Sequence, residues 1–218
     1  MSKELKQQFY NYNTRVNQKF ELSTWFESSL ERAIARSDFK NDVLISSRRI
    51  TQGLLDYRKQ NGVDTVCIGM SGGIDSALTA ALFQSAAWKV IGVVMPIHQN
   101  SVETQRGIEA CEALNIEYQV VDLSEPYDSL VKFYQDSDVD FNPELVNDSM
   151  RKQQIRKGNI RARLRMITLY NIASKNNGIV GSTDNFSELA AGFWTLHGDV
   201  GDVAPIQSLT KSWEVPAM

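Results

Sequence analysis

Cysteine is scarce in this sequence: among 218 residues only Cys67 and Cys111 carry thiols. They lie far apart with no C-x-x-C spacing, and are read as reduced core thiols of a cytoplasmic protein. Long apolar runs are missing too. Nothing approaches the roughly 20 residues of a membrane span, and the start (MSKELKQQFYNYN) lacks the apolar segment of a signal peptide. Nor is there an excess of positive charge. Lys and Arg number 23 against 26 Asp and Glu, a net charge of -3, which excludes a globally basic nucleic-acid binder but leaves room for a local basic patch. Internal repeats and low-complexity stretches are absent. The length suits one sizeable α/β core with a modest extension and is short for two full domains.

Residues 63–87 organise the rest. An apolar run, 63–70, leads into SGGIDS at 71–76, and an Ala- and Leu-rich stretch follows. The order reads as a buried strand, a glycine turn and a helix. Such a turn aims several backbone N–H groups at one spot, with the positive end of the helix dipole behind them. Gly72 and Gly73 let the backbone approach a ligand closely. Ser71 and Ser76 add hydroxyls, and Asp75 adds a carboxylate able to hold a hard cation. The combination suits a phosphate chain with magnesium. No Gly-Lys-Ser/Thr follows the glycines, so this is no Walker loop, and a third glycine is missing from the dinucleotide fingerprint.

Around that stretch, the chain divides into an N-terminal helical extension, 1–62, and a nucleotide-binding domain, 63–218. In the extension, Leu22, Trp25, Phe26, Leu30 and Ile34 fall near helical spacing and read as a packing or dimer face. A second helix is expected over 41–60, with Val43, Leu44, Ile50, Leu54 and Tyr57 apolar and Asn61-Gly62 as its turn. Beyond the glycine turn come a strand at 89–95 stopped by Pro96, a helix at 101–114 and a strand at 117–121. Residues 124–150 are acidic and broken by prolines, suggesting a short helix and a surface loop. Another short strand lies at 178–181. Strands alternating with helices imply an α/β fold around a parallel sheet, whose ligands sit beyond the strands' C-terminal ends. Residues 71–76, 95–98 and 122–124 would then share one edge, with His98 either touching a base there or serving its loop.

Residues 151–165 (RKQQIRKGNIRARLR) carry seven basic side chains and run into a helical stretch with Met166, Leu169, Tyr170 and Ala173 on a buried face. Charge leaves three readings open: a solvated amphipathic helix, a grip on a polyanionic substrate, or contact with an RNA backbone. Further on stand STDNFSE at 182–188, then Gly192-Phe193-Trp194-Thr195, His197-Gly198-Asp199, Gly201-Asp202, Pro205-Ile206 and Lys211. Taken one at a time, Glu188, Lys211, Arg163, Asp199 and Asp202 are ordinary surface or turn residues, and His197 reads as structural.

Taken in order they say more. SGGIDS resembles the pyrophosphate loop of the N-type ATP pyrophosphatases, which cleave ATP between the α and β phosphates. The second block, with GNIRARLRM, resembles the NAD synthetase family within that group, from about residue 63 to the C-terminus. The resemblance implies a Rossmann-like doubly wound parallel sheet (adenine nucleotide alpha hydrolase-like) and a cytoplasmic, homodimeric enzyme using ATP, Mg2+, deamido-NAD and ammonia. It implies that Gly69, Met70, Ser71, Gly72, Gly73, Ile74, Asp75 and Ser76 form the ATP loop, and that Asp75 and Glu188 hold magnesium. Thr183 and Lys211 match ATP contacts, Arg163 a deamido-NAD contact, and Asp202 an aspartate near that substrate. Asp75, Lys211 and Asp202 are thereby expected to carry the catalytic work. No membrane or nucleic-acid partner is expected; the rival readings are a tRNA-modifying pyrophosphatase and a non-catalytic nucleotide-binding remnant.

Three departures accompany the match. Leu196 stands where short family members often have a lysine, and the loop at Val200-Gly201 is about one residue shorter. The family's pattern also continues for several tens of residues beyond the segment matching LTKSWEVPAM, with further ATP contacts and a His-Lys pair for the dinucleotide. The C-terminus is therefore expected to be truncated relative to the family. The 62 residues before the core leave no room for an amidase domain, so free ammonia is the implied nitrogen donor.

Overall fold

The structure, a computed structural model, describes residues 39–136 and 150–211. The chain forms two compact units, 1–46 and 47–218. Of the first, the described part is the opening of helix α1 (Phe39–Asn61). The expected apolar stripe at 22–34, the loop at 137–149 and the tail at 212–218 lie outside the described residues. The second unit holds the sheet and the glycine turn.

Four strands form one parallel sheet: β1 (Thr65–Gly69), β2 (Lys89–Val94), β3 (Glu117–Val120) and β4 (Ile179–Gly181), in the spatial order β3-β2-β1-β4. Helices α2 (Ile74–Ser85), α3 (Ser101–Ala113), α4 (Ser124–Asp136) and α5 (Met150–Lys175) occupy the crossovers, and α6 (Phe186–Ala191) follows β4. This is the doubly wound α/β architecture expected of the sequence.

Alternation along the strands divides the core between the two faces of the sheet. Val66, Ile68, Met70, Val90 and Val94 pack with Leu78, Leu82 and Phe83 of α2 and Cys111 of α3. Cys67, Ile91, Val93 and Met95 pack with Tyr127 of α4 and Leu169 and Ala173 of α5. Both faces are covered, which is why β1 and β2 read as continuous apolar runs. β3, at the sheet's edge, is exposed along its length. The later turns of α1 belong to this unit: Leu54 is buried in the first cluster, and its carbonyl accepts from Trp88 Nε1 at 3.1 Å. Trp88 in turn meets Phe83 edge to face at 5.2 Å. On the same helix Leu44 and Tyr57, both expected in its apolar face, are exposed. The second unit begins at Ser47.

The order of the strands matters for function. From β1 the chain winds outward through β2 to β3, then returns through α4 and α5 to lay β4 against β1's other side. Cys67 pairs with Ile91 on one side and Val180 on the other. The crossovers leaving β1 and entering β4 lie on opposite faces, so a crevice opens beyond their C-terminal ends. Residues 201–203 continue the sheet past β4, through a parallel bridge between Gly181 and Val203. Gly201 makes that approach feasible, since a Cβ there would lie 2.6 Å from the Val180 carbonyl oxygen.

Candidate active site

SGGIDS turns the chain from β1 into α2. Gly72 has φ +80, and a Cβ on it would lie 2.7 Å from Arg106 Cβ on α3. A residue with a side chain is therefore excluded there by both backbone and space. Gly73 is the N-cap of α2 and supplies no side-chain cap, leaving the helix's first N–H groups to other acceptors. Around the turn, Ser76 Oγ donates to the Gly73 carbonyl at 3.0 Å, while Ser71 and Ser76 hydroxyls sit 3.3 Å apart. The loop is thus tied by its own hydroxyls, Ser71 Oγ also accepting from Gly73 N at 3.3 Å.

Asp75, in the first turn of α2, is the meeting point of three distant segments. Its Oδ1 accepts from Asn185 Nδ2 at 2.9 Å, and its Oδ2 accepts from the Lys211 ammonium. Asn185 is fully buried and caps α6: its Oδ1 accepts from Glu188 N at 3.0 Å, while Glu188 Oε2 accepts from Asn185 N at 3.2 Å. This reciprocal pair is a capping box. Lys211 is held by backbone as well, its N–H donating to Ser187 Oγ at 3.1 Å. Three residues expected to share a site, Asp75, Glu188 and Lys211, therefore stand together, joined by Asn185, which sequence reasoning overlooked.

A cavity of about 500 Å3 opens over the ends of β1, β2 and β4; Ser71 of the turn lines it, while Asp75, Glu188 and Lys211 do not. Its volume is within the roughly 300–1,000 Å3 usual for small-molecule sites. Gly69, Met70 and Ser71 form one wall, and Thr183 and Asp199 another. Met95, Ile97 and His98 close the far side. His98 has φ +49 and its Nε2 lies 2.8 Å from Asp128 Oδ1, so it both faces the cavity and anchors its own loop. Residues 122–124 buttress that loop from behind, Ser124 Oγ accepting from His98 N at 3.1 Å.

From the basic stretch, Arg161 and Arg165 line the cavity. Arg165 Nε donates to the Met95 carbonyl at 3.0 Å and its Nη2 to Gln99 Oε1 at 3.3 Å. Burial pulls its pKa below the ordinary value, with Arg161's charge adding to the effect. Arg161 lies over the Tyr127 ring, 4.9 Å from its centre. The signal for both was present in the sequence: 161, 165, 169 and 173 follow one another at helical spacing of four, along the expected buried face.

Arg163 and Asp202 stand elsewhere. Arg163 is exposed and its Nε donates to the Leu196 carbonyl at 3.3 Å. Asp202 lies beside β4, accepting from Val180 N at 2.8 Å and from the Tyr170 hydroxyl at 3.1 Å. Neither lines the cavity.

A further carboxylate went unnoticed in the sequence. Asp184 is 9% exposed, and burial pushes its pKa up to about 6. Negative charge on Asp199, Glu188 and Asp75 adds to the rise, against a hydrogen bond from Ser182 Oγ at 3.2 Å. Such crowding of carboxylates favours the protonated form of Asp184. Among the described residues no three His, Cys, Asp or Glu side chains converge as a ready metal site. One or two carboxylates completed by phosphate oxygens and water is, however, the usual setting for magnesium, and Asp75 and Glu188 are two carboxylates joined through Asn185.

The family model for NAD synthase matches residues 46–216. An NH(3)-dependent NAD(+) synthetase of Alkaliphilus oremlandii is 36% identical over 166 residues, 75% of this chain and 64% of that protein. One from Carboxydothermus hydrogenoformans is 34% identical over 173 residues, 77% of this chain and 67% of the relative. The chain thus spans about two-thirds of the length of the curated relatives it matches. Among solved structures, an NMN synthetase from Francisella tularensis superposes with a TM-score of 0.70 at 29% identity, covering 80% of this chain and 68% of that one. An NH3-dependent NAD synthetase from Campylobacter jejuni, in complex with nitrate, gives 0.66 at 28%, covering 79% and 70%. With its glycine turn, its parallel sheet and these relatives in agreement, the chain belongs to the NAD synthase family.

Proposed function

We propose that this chain carries the ATP-dependent amidation of deamido-NAD to NAD by ammonia. The observation that supports it most is Asp75, held between Lys211 and Asn185 at the start of α2, in the turn whose Ser71 lines a cavity of about 500 Å3. In this reading the triphosphate lies along residues 69–76, and Thr183 and Lys211 contact it. A carboxylate oxygen of the nicotinate attacks the α-phosphorus, and the bond from that phosphorus to the oxygen bridging the β-phosphate breaks. Pyrophosphate leaves with the electron pair. Ammonia then adds to the acyl carbon, AMP departs with the electron pair of the carbon–oxygen bond, and the nitrogen releases one proton to solvent, giving the amide. No protein nucleophile is needed, since the substrate supplies one. The chain's task is to align two anions and neutralise the charge that develops.

Asp75 and Glu188 would hold magnesium with the phosphates. Bound there, it would draw negative charge from the reacting phosphates and orient the leaving diphosphate. Lys211 and the first N–H groups of α2 work in the same direction.

A second reading of the acid substrate has one observation behind it. Arg163 and Asp202, expected at deamido-NAD, are engaged with Leu196 and β4, and the Francisella relative is an NMN synthetase. Nicotinate mononucleotide would then be the acid amidated. Incubation with ATP, Mg2+, ammonium and each acid separately decides between them. Equal yields of AMP and one amide name the substrate; no AMP with either acid refutes the amidation.

A second copy of the chain completes the proposal. Phe193, Trp194 and Leu196 are exposed on a segment tied to α5 through Thr195 and Asn159, near exposed Ile155. Sedimentation of the purified chain as a monomer at micromolar concentration would rule the homodimer out. Among the described residues no helix is long and apolar enough to cross a membrane. A cytoplasmic location goes with buried thiols: burial pushes Cys67 and Cys111 each up to about 11, leaving them unreactive.

A further inference from the structure

Asn185 has no role in the chemistry above, yet it touches both carboxylates assigned to the metal. Its side chain is fully buried and committed at both ends, the amide nitrogen to Asp75 and the amide oxygen to the Glu188 N–H. Turning the amide over would set a donor against an N–H and an oxygen against a carboxylate, so only one orientation is satisfied. Lys211, which also bonds to Asp75, has a side chain 50% exposed to solvent. That side chain reaches solvent, whereas the Asn185 amide is buried. A helix cap alone does not require asparagine, since serine or threonine serves as well. What those residues lack is the reach to Asp75, 110 positions away in the chain.

We propose that Asn185 is a positioning residue, whose buried amide fixes the Asp75 carboxylate relative to the turn of α6 bearing Glu188, so that both act on one metal–triphosphate. The inference rests on the metal roles given to Asp75 and Glu188 in the proposed function. Its consequence is specific: Asn185 governs how much magnesium adds to ATP binding, and leaves metal-free ATP binding alone.

Asn185→Ser keeps the cap and removes the bond to Asp75. Titration calorimetry with ATP, with and without Mg2+, is compared for the wild-type chain, Asn185→Ser and Asp75→Ala, together with thermal unfolding of each. For Asn185→Ser we expect metal-free affinity within about twofold of wild type and an affinity gain from Mg2+ reduced about tenfold, as for other groups that orient metal ligands. An unchanged gain from Mg2+, or equal losses with and without metal, overturns the positioning role. If Asp75→Ala abolishes the gain while Asn185→Ser retains it, only this inference fails. If the wild-type chain shows no gain from Mg2+, the proposed function fails with it. Should Asn185→Ser not fold, Asn185→Thr, which fills more of the space, takes the same measurements with the same outcomes.

Discussion

Lys211 and Asp75 form an ion pair across 136 positions of sequence, with side chains 50% and 20% exposed. A pair this open to water adds little to stability, on the order of 0–1 kcal/mol. Its value lies in placing a cation beside the glycine turn. Lys211→Met is expected to unfold within a few degrees of wild type while losing about 100-fold in turnover, the scale of a lost charge-stabilising donor. Thermal melts and AMP release, measured side by side, check both halves. A large loss of stability with turnover intact would make the pair structural.

Gly72→Ala tests the turn itself. Its φ of +80 and the 2.7 Å approach to Arg106 Cβ leave no room for a methyl group. We expect a cost of about 1–3 kcal/mol in urea unfolding, the range for strained backbone. ATP affinity should fall as well, because relieving the clash moves the loop off α3. Full affinity in a folded Gly72→Ala chain would show that the turn does not bind phosphate.

Asp184 makes stability depend on pH. Its folded pKa of about 6 lies above the ordinary 3.8, so the folded state holds this proton more tightly than the unfolded one. The proton's contribution is fully present below about pH 4 and is lost as pH rises through about 6. Asp184→Asn should therefore stabilise the chain at pH 7.5, by at most about 3 kcal/mol at ~1.4 kcal/mol per unit. The difference from wild type should vanish near pH 4. Denaturant unfolding of both chains across that range is the measurement, and a gap that widens toward acid would contradict it.

Asp202 accepts a strand N–H that would otherwise lack a partner. Asp202→Ala is expected to cost about 1–3 kcal/mol, the penalty for an unsatisfied polar group, and Asp202→Asn less, since one acceptor remains. Urea unfolding of the two variants gives the order. If Asp202→Asn folds as wild type but loses turnover, the carboxylate has the substrate role that the family resemblance implies.

Much of this was legible from the residues. The apolar runs of β1 and β2 and the glycines between β1 and α2 announced a parallel sheet with a glycine turn, because both faces of such strands must be apolar. Asn185 was harder. Its capping box with Glu188 is a local pattern, visible three residues apart, but its bond to Asp75 exists only because β4 lies against β1. No spacing in the chain encodes that adjacency. The arginines of α5 lie between these cases. Helical periodicity separates Arg161 and Arg165 from Arg163, and only the packing of Leu169 and Ala173 against the sheet says which set turns inward. Tyr170 shows the limit of periodicity, being partly exposed with its hydroxyl on Asp202.

The bonds that sew residues 203–211 onto β4 and α6 have one more effect. Ser182 N donates to the Val203 carbonyl at 2.8 Å, Phe186 N to the Leu209 carbonyl at 2.8 Å, and Lys211 N to Ser187 Oγ. Like stitches along a hem, they join the segment bearing the lysine to the helix bearing the glutamate. Unpicking one stitch, for example with Ser187→Ala, would slacken that join.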